Sequence, residues 1–123
     1  MKTRTVLLLA SALTLIGATL MAFQAGQGRG APPRPQGPCD IYAAAGDPCV
    51  AAHSTTRALY AGYTGPLYQI LRQSDGKTQD IGVVQPSASD AGGYANAAAQ
   101  DAFCANTYCW ISIIYDNRPS TTT

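Results

Sequence analysis

Hydrophobic and polar positions alternate unevenly along this chain, and the unevenness predicts its elements. Two runs of aliphatic and aromatic residues, LYQILRQ (67–73) and TQDIGVV (78–84), flank Ser74-Asp75-Gly76-Lys77. An Asp-Gly pair supplies the positive φ that tight hairpin turns require, so a hairpin is predicted over 67–84. The strongest strand signal is YCWISIIY (108–115), which is aromatic and β-branched throughout. Its pattern places Trp110, Ser112 and Ile114 on one face, with Ile111, Ile113 and Tyr115 on the other. A strand apolar on both faces predicts cover on both sides, with Trp110 in the core.

Between these lie weaker signals. Residues 49–63 (CVAAHSTTRALYAGY) scatter Val50, Ala58, Leu59 and Tyr60 among small residues and predict a short helix or irregular turns. Residues 85–94 (QPSASDAGGY) are rich in breakers and predict a loop. Alanine dominates 95–103 (ANAAAQDAF), which predicts a short helix ending at Cys104.

The first part of the chain reads differently. Behind Lys2 and Arg4, Val6 to Phe23 runs 18 residues without a charge. A cationic start, an apolar run and small residues after it predict a signal peptide over 1–22, cleaved after Ala22 or, alternatively, Ala25. The competing expectation is an uncleaved anchor, because a run of this length can just span a bilayer. Residues 24–38 hold four glycines, four prolines and no aliphatic side chain larger than alanine, so 23–38 is expected to be a disordered linker. The working unit is then 39–116, followed by a polar tail over 117–123 and an expected truncation there. Its 77 residues from Cys39 to Tyr115 are few for a self-sufficient core.

Charge adds little and excludes much. The whole chain carries a formal +1; without residues 1–22, six basic side chains face seven acidic ones, for a formal −1. No basic stripe is present, so no nucleic acid is expected as a partner, and no membrane once a signal is removed. The cysteines form two local pairs in sequence, Cys39 with Cys49 and Cys104 with Cys109. Three connectivities are open to four cysteines, and the two local pairings are favoured because each closes a short loop of turn-compatible residues. Secretion favours oxidation, and these spacings with a single histidine do not match zinc ligand pairs, so no metal and no cofactor is expected.

All seven acids are aspartates: Asp40, Asp47, Asp75, Asp80, Asp90, Asp101 and Asp116. Asp75 and Asp90 are expected to cap local backbone, Asp40 and Asp47 to support the first cysteine loop, and Asp80 and Asp101 to face solvent. Asp116, following the best strand, is the acid placed to contact a sugar. His53 next to Ser54 suggests a nucleophile and base, but no third partner is specified, and a structural histidine bonded inside 49–63 is favoured.

Three stretches carry a family resemblance: GPCDIYAAAGDPCVAAHSTTRALYAGYTGPLYQI (37–70), SDGKTQDIG (74–82) and ANAAAQDAFCANTYCWISIIYD (95–116). In order and with few gaps they resemble the N-terminal part of the catalytic domain of glycoside hydrolase family 54, the fungal-type α-L-arabinofuranosidase B family. The resemblance implies an all-β fold, a concanavalin-like jelly-roll β-sandwich of which only the N-terminal portion is present, with short helical segments and local disulfides at both cysteine pairs. It implies a secreted, extracellular, retaining glycosidase that releases terminal arabinofuranosyl groups from arabinoxylan, arabinan and related plant cell-wall polysaccharide. The family's glutamate nucleophile, its acid/base and a pair of adjacent cysteines lie downstream of the matched text, so no catalytic residue is carried over. Asn106-Thr107-Tyr108 also lacks the glycosylation sequon that members often carry, and the 85–94 loop is longer than expected.

A retaining glycosidase needs two carboxyl groups about 5–5.5 Å apart. With no glutamate and only scattered aspartates, this chain alone is expected to be inactive. The alternative is a small secreted carbohydrate-binding module that uses tyrosine and tryptophan surfaces without catalysis.

Overall fold

A computed structural model describes residues 30–119. The expected signal over 1–22, the linker residues 23–29 and the tail residues 120–123 lie outside the described residues. The order of elements is α1 (Pro38–Ala44), β1 (Pro66–Arg72), β2 (Thr78–Gly82), α2 (Ala97–Phe103) and β3 (Cys109–Ile114). The strands form one antiparallel sheet in the order β2-β1-β3.

Helix α1 has no counterpart in the hydrophobic pattern; capping chemistry makes it. Gly37 is its N-cap, Pro38 opens its first turn and Asp40, three residues in, accepts from the Gly37 amide at 2.8 Å. Proline suits that turn because its missing N–H would have no partner there. The Cys39–Cys49 disulfide then returns the chain onto the helix. Residues 49–63 form bends and isolated bridges, the second of the two expectations for that segment.

The hairpin forms where expected, but its connection is wider than a two-residue turn. Arg72 donates its amide to Lys77 and Gly76 donates to Arg72. Gly76 alone takes positive φ (+67), while the Asp75 side chain binds Arg72 and the Lys77 amide. The alanine-rich stretch is helical as expected, with Asn96 capping Ala99 and the helix ending at Cys104. The second disulfide, Cys104–Cys109, joins that end to the start of β3. Both local pairings are therefore present.

Strand register decides what is buried. On one face of the sheet, Tyr68 lies between Ile81 and Ile114, and Ile70 between Gln79 and Ile111. Helix α2 packs on this face at the β2 side, and the core consists of Ala58, Leu67, Tyr68, Ile70, Ile81 and Val83. Ala99, Phe103, Cys104 and Cys109 close over it. On the opposite face, Gln69 lies between Asp80 and Ile113, and Leu71 between Thr78 and Trp110.

Strand β3 differs from expectation. Among the described residues it is an edge strand without cover on either face: Trp110 is 53%, Ile111 50%, Ile113 43% and Ile114 45% exposed. Trp110 is thus not a core residue. The reason is geometric: α2 packs on β2 and reaches β1 through Gln100 and Phe103, and it is joined to β3 at Cys109, the start of the strand.

The limits of the packed unit also shift. Arg34, expected in a disordered linker, sends its guanidinium to the carbonyls of Ala91, Ala61 and Tyr63, which fixes residues ahead of α1 to two loops. At the other end Asn117, expected in a polar tail, is fully buried; its amide donates to Ala52 and its side chain to the Tyr115 carbonyl.

Candidate functional site

Each aspartate can be placed by what holds it. Asp40 Oδ2 accepts from the amides of Gly37 and Ala61, so it closes α1 and pins the 49–63 segment beside it. Asp75 is clamped by Arg72 at 2.9 and 2.6 Å, and Asp90 accepts from Gly92 and the Tyr94 hydroxyl. Arg72 donating to Asp75 holds that carboxyl well below the usual range; Tyr94 and Gly92 lower Asp90 in the same way. These match the expected capping roles. Asp101 is exposed on α2 and Asp47 is exposed after the first helix.

Asp116 is more engaged than a free sugar ligand would be. Its Oδ1 accepts from the amides of Ala52 and Arg118, and its Oδ2 pairs with the Arg118 guanidinium at 2.7 and 2.6 Å. The Arg118 hydrogen bond holds the carboxyl down to about 2. The carboxylate thereby fastens the exit of β3 to the 49–63 segment, where His53 also bridges to Asp116 along the backbone.

His53 does not form a pair with Ser54. Its Nδ1 lies 3.2 Å from the Tyr115 carbonyl, outside the segment in which a partner was expected, and the ring is exposed. Ser54 instead turns its hydroxyl to Thr56 and to the amides of Thr56 and Arg57. A nucleophile-and-base arrangement is absent among the described residues, because nothing joins the two side chains.

Among the described residues, a polar cluster that joins all three strands lies on the sheet face opposite α2. Gln69 donates to Asp80 at 3.1 Å and to the Tyr115 hydroxyl at 3.4 Å, and accepts from Ser112 at 3.1 Å. Tyr115 donates to Asp80 at 2.9 Å. The hydrogen bond to Asp80 raises the Tyr115 phenol above its ordinary value. Sequence pattern could place Gln69 and Asp80 on one face of a hairpin, but only the pairing of β3 with β1 brings Ser112 and Tyr115 to them. Trp110, 53% exposed, pairs with Leu71 one position along the same sheet face, and Tyr108, 77% exposed, immediately precedes β3. Chemically the cluster offers hydroxyl, amide and carboxylate groups beside an aromatic surface, and a single carboxylate. It is not a carboxyl dyad. No three His, Cys, Asp or Glu side chains gather among the described residues.

Comparison with known proteins identifies what this arrangement is part of. The family model of the α-L-arabinofuranosidase B catalytic domain matches residues 38–122, which includes both disulfides and all three strands. The chain belongs to this family. It is 66% identical over 80 residues to a probable α-L-arabinofuranosidase B of Aspergillus terreus, and 65% identical over 80 residues to the α-L-arabinofuranosidase B of Aspergillus oryzae. In each case the match covers 65% of this chain and 15% of the relative. Among solved structures, an arabinofuranosidase complexed with arabinofuranosyl-α-1,2-xylobiose superposes with a TM-score of 0.61 at 57% identity. That match covers 67% of this chain and 16% of the other. The chain thus spans about one-sixth of the length of the family members it matches. Family membership is shown; at the level of fold, the small antiparallel sheet, few helices and two disulfides are what the described residues contain.

Proposed function

We propose that this chain supplies the N-terminal part of the catalytic domain of a secreted, retaining α-L-arabinofuranosidase with a jelly-roll β-sandwich fold. The substrates of the whole enzyme are terminal arabinofuranosyl groups on arabinoxylan and arabinan. The observation that carries this reading is the family-model match over 38–122, which takes in both disulfides and the full sheet, together with 66% identity over 80 residues to a protein named as a probable α-L-arabinofuranosidase B. Paired cysteines support the extracellular assignment, because disulfides persist in oxidising compartments.

In this reading the chain contributes framework and no reacting group. Asp75, Asp90 and Asp116 are held ionised by their donors, so none is suited to deliver a proton near neutral pH. Asp80 serves Gln69 and Tyr115. Purified alone, the chain is expected to release no 4-nitrophenol from 4-nitrophenyl α-L-arabinofuranoside above a buffer blank. Turnover that persists through repurification would overturn the reading that the chain contributes framework alone.

A second reading, a binding role without catalysis, draws on the exposure of Trp110 on the face that carries the polar cluster and of Tyr108 just before β3. Retention on insoluble arabinoxylan, lost in Trp110→Ala with the fold intact, would favour it. Against it stand Ile111, Ile113 and Ile114, exposed aliphatic side chains on the same strand that offer a sugar no hydrogen bond and no ring to stack on.

A further inference from the structure

Ahead of the family-matched residues 38–122, the segment Ala31-Pro32-Pro33-Arg34-Pro35 sets its one charged side chain between two loops. Arg34 Nε donates to the Ala91 carbonyl at 3.1 Å, and Nη1 donates to the carbonyls of Ala61 at 3.2 Å and Tyr63 at 2.5 Å. Other contacts hold these three main-chain acceptors in place. The Ala61 amide donates to Asp40, the Tyr63 amide to the Tyr60 carbonyl, and Asp90 accepts from the Gly92 amide just past Ala91. A Cβ at position 93 would sit 3.1 Å from Arg34 Cδ and 3.2 Å from Nε, so Gly93 leaves the side chain its path. Two nitrogens of one planar group thus bridge both loops, whereas a lysine amine is a single point donor.

The fit is selective but incomplete. Among the described residues no carboxylate pairs with Arg34, and its Nη2 is buried without an acceptor. A desolvated cation with an unused donor forfeits much of what its other hydrogen bonds gain. The segment also leaves space beside it, a cavity of about 510 Å³ lined by Pro32, Pro33 and Arg34 together with Ala61, Gln85 and Pro86. Prolines at 32, 33 and 35 favour an extended chain and have no amide to donate, so the arginine carries the polar part of the contact.

We infer that the groove between residues 61–63 and 91–93 is an arginine-recognising site, filled in cis by residues 31–35 as an exchangeable strap, and that it accepts the same sequence from a separate peptide. While filled, it ties the two loops together. Tethering keeps a marginal contact occupied, because an attached ligand works at high effective concentration without a tight fit. The strap stands ahead of the matched residues, so its role is independent of the enzymatic reading.

The test uses the full oxidised chain, with Arg34→Ala to release the strap, and a fluorescein-labelled peptide APPRPQG, the sequence of residues 31–37, as probe. Fluorescence anisotropy is expected to show the peptide binding Arg34→Ala at least about tenfold more tightly than the unaltered chain, whose own strap competes. The peptide with lysine in place of arginine should bind neither. In hydrogen exchange, the Ala61 and Gly93 amides should open faster in Arg34→Ala and Arg34→Lys than in the unaltered chain. The arginine peptide should restore them, while β1 and β2 amides stay protected throughout. Absence of binding to Arg34→Ala would overturn the site outright, and equal binding to both chains would overturn its location. Equal binding of the two peptides would overturn recognition of the guanidinium. Faster exchange that the peptide does not restore would make Arg34 a fixed part of the fold and overturn exchangeability; unchanged exchange would overturn the strap. If Arg34→Ala fails to fold, Arg34→Lys carries the same test, and failure of both to fold with peptide present would overturn a removable strap.

Discussion

The two edges of this sheet are built on opposite plans. On the β2 edge the strand is short, Asp80 faces solvent and Ile81 is fully buried beneath α2. The chain beyond it is immediately engaged: Val83 bridges to Ala95, and Val84 exchanges backbone hydrogen bonds with Gly93 and Tyr94. Gly92 makes that return possible, with φ at +64 and no room for a Cβ against the Val84 carbonyl. The β3 edge has a richer apolar sequence and none of this cover. Hydrophobic strength along a strand therefore does not tell which strand is buried; the neighbour does. Among the described residues the weaker strand is covered by its own chain, while the stronger one is left exposed.

Substitution at equivalent apolar positions gives the sharpest contrast. Ile81→Ala, on the finished edge, should cost about 2–5 kcal/mol by leaving a cavity in a small core. Ile113→Ala, on the open edge, should cost less than about 0.5 kcal/mol in the isolated chain, as surface changes usually do. Urea unfolding of both variants would measure the difference, and equal losses would mean that β3 is covered in solution.

Next in size are the disulfides, which act unequally on the two edges. Replacing Cys104 and Cys109 together by alanine should lower stability by about 2 kcal/mol on the chain-entropy account of a short loop. It should also release β3 before β2, because that bridge anchors only the β3 start. Hydrogen exchange resolved by strand would show β3 amides opening first; simultaneous opening of β2 would place both edges in one cooperative unit.

A charge on the open edge should act on solubility more than on stability. Ile113→Lys is expected to leave the unfolding midpoint of the chain nearly unchanged and to suppress its aggregation on concentration, since lysine on an edge blocks strand addition. Light scattering against concentration tests this, and unchanged scattering would point to another sticky surface.

The smallest effect comes from the two ion pairs at the ends of the strands. Asp75 closes the β1–β2 connection and Asp116 the exit of β3, and both carboxyls are lowered by hydrogen bonds from arginine. A lowered folded-state value means stability that is present above the ordinary 3.8 and lost as pH falls through the folded value. For Asp116 that window runs from about 4 down to about 2, with stability flat between pH 5 and 7 on this account. Thermal scans across this range should show Asp75→Asn removing part of the acid dependence at the hairpin and Asp116→Asn removing another part at β3. A full acid response in both variants would shift the cause to other carboxylates.

Much of the local structure was legible in the sequence. The hairpin over 67–84 follows from two apolar runs around Asp75-Gly76, α2 from an alanine-rich stretch, and both disulfides from cysteines close enough to meet across short loops. The stretches 37–70, 74–82 and 95–116 carried the family resemblance without any structure. Helix α1 escaped notice because its cause is a Gly-Pro-x-Asp cap and not a periodic apolar face.

What tertiary structure alone decided is where each side chain ends up relative to distant chain. Propensity and turn chemistry act over a few residues, so sequence determined which segments are strands, that Ala97–Phe103 is helical and which cysteines pair. Burial depends on what lies across the sheet, and that is a non-local quantity. Hence the position of β3 as an open edge, the exposure of Trp110, the joining of Gln69, Asp80, Ser112 and Tyr115, and the anchoring of Arg34 and Asp116 to remote loops came only from the packed fold.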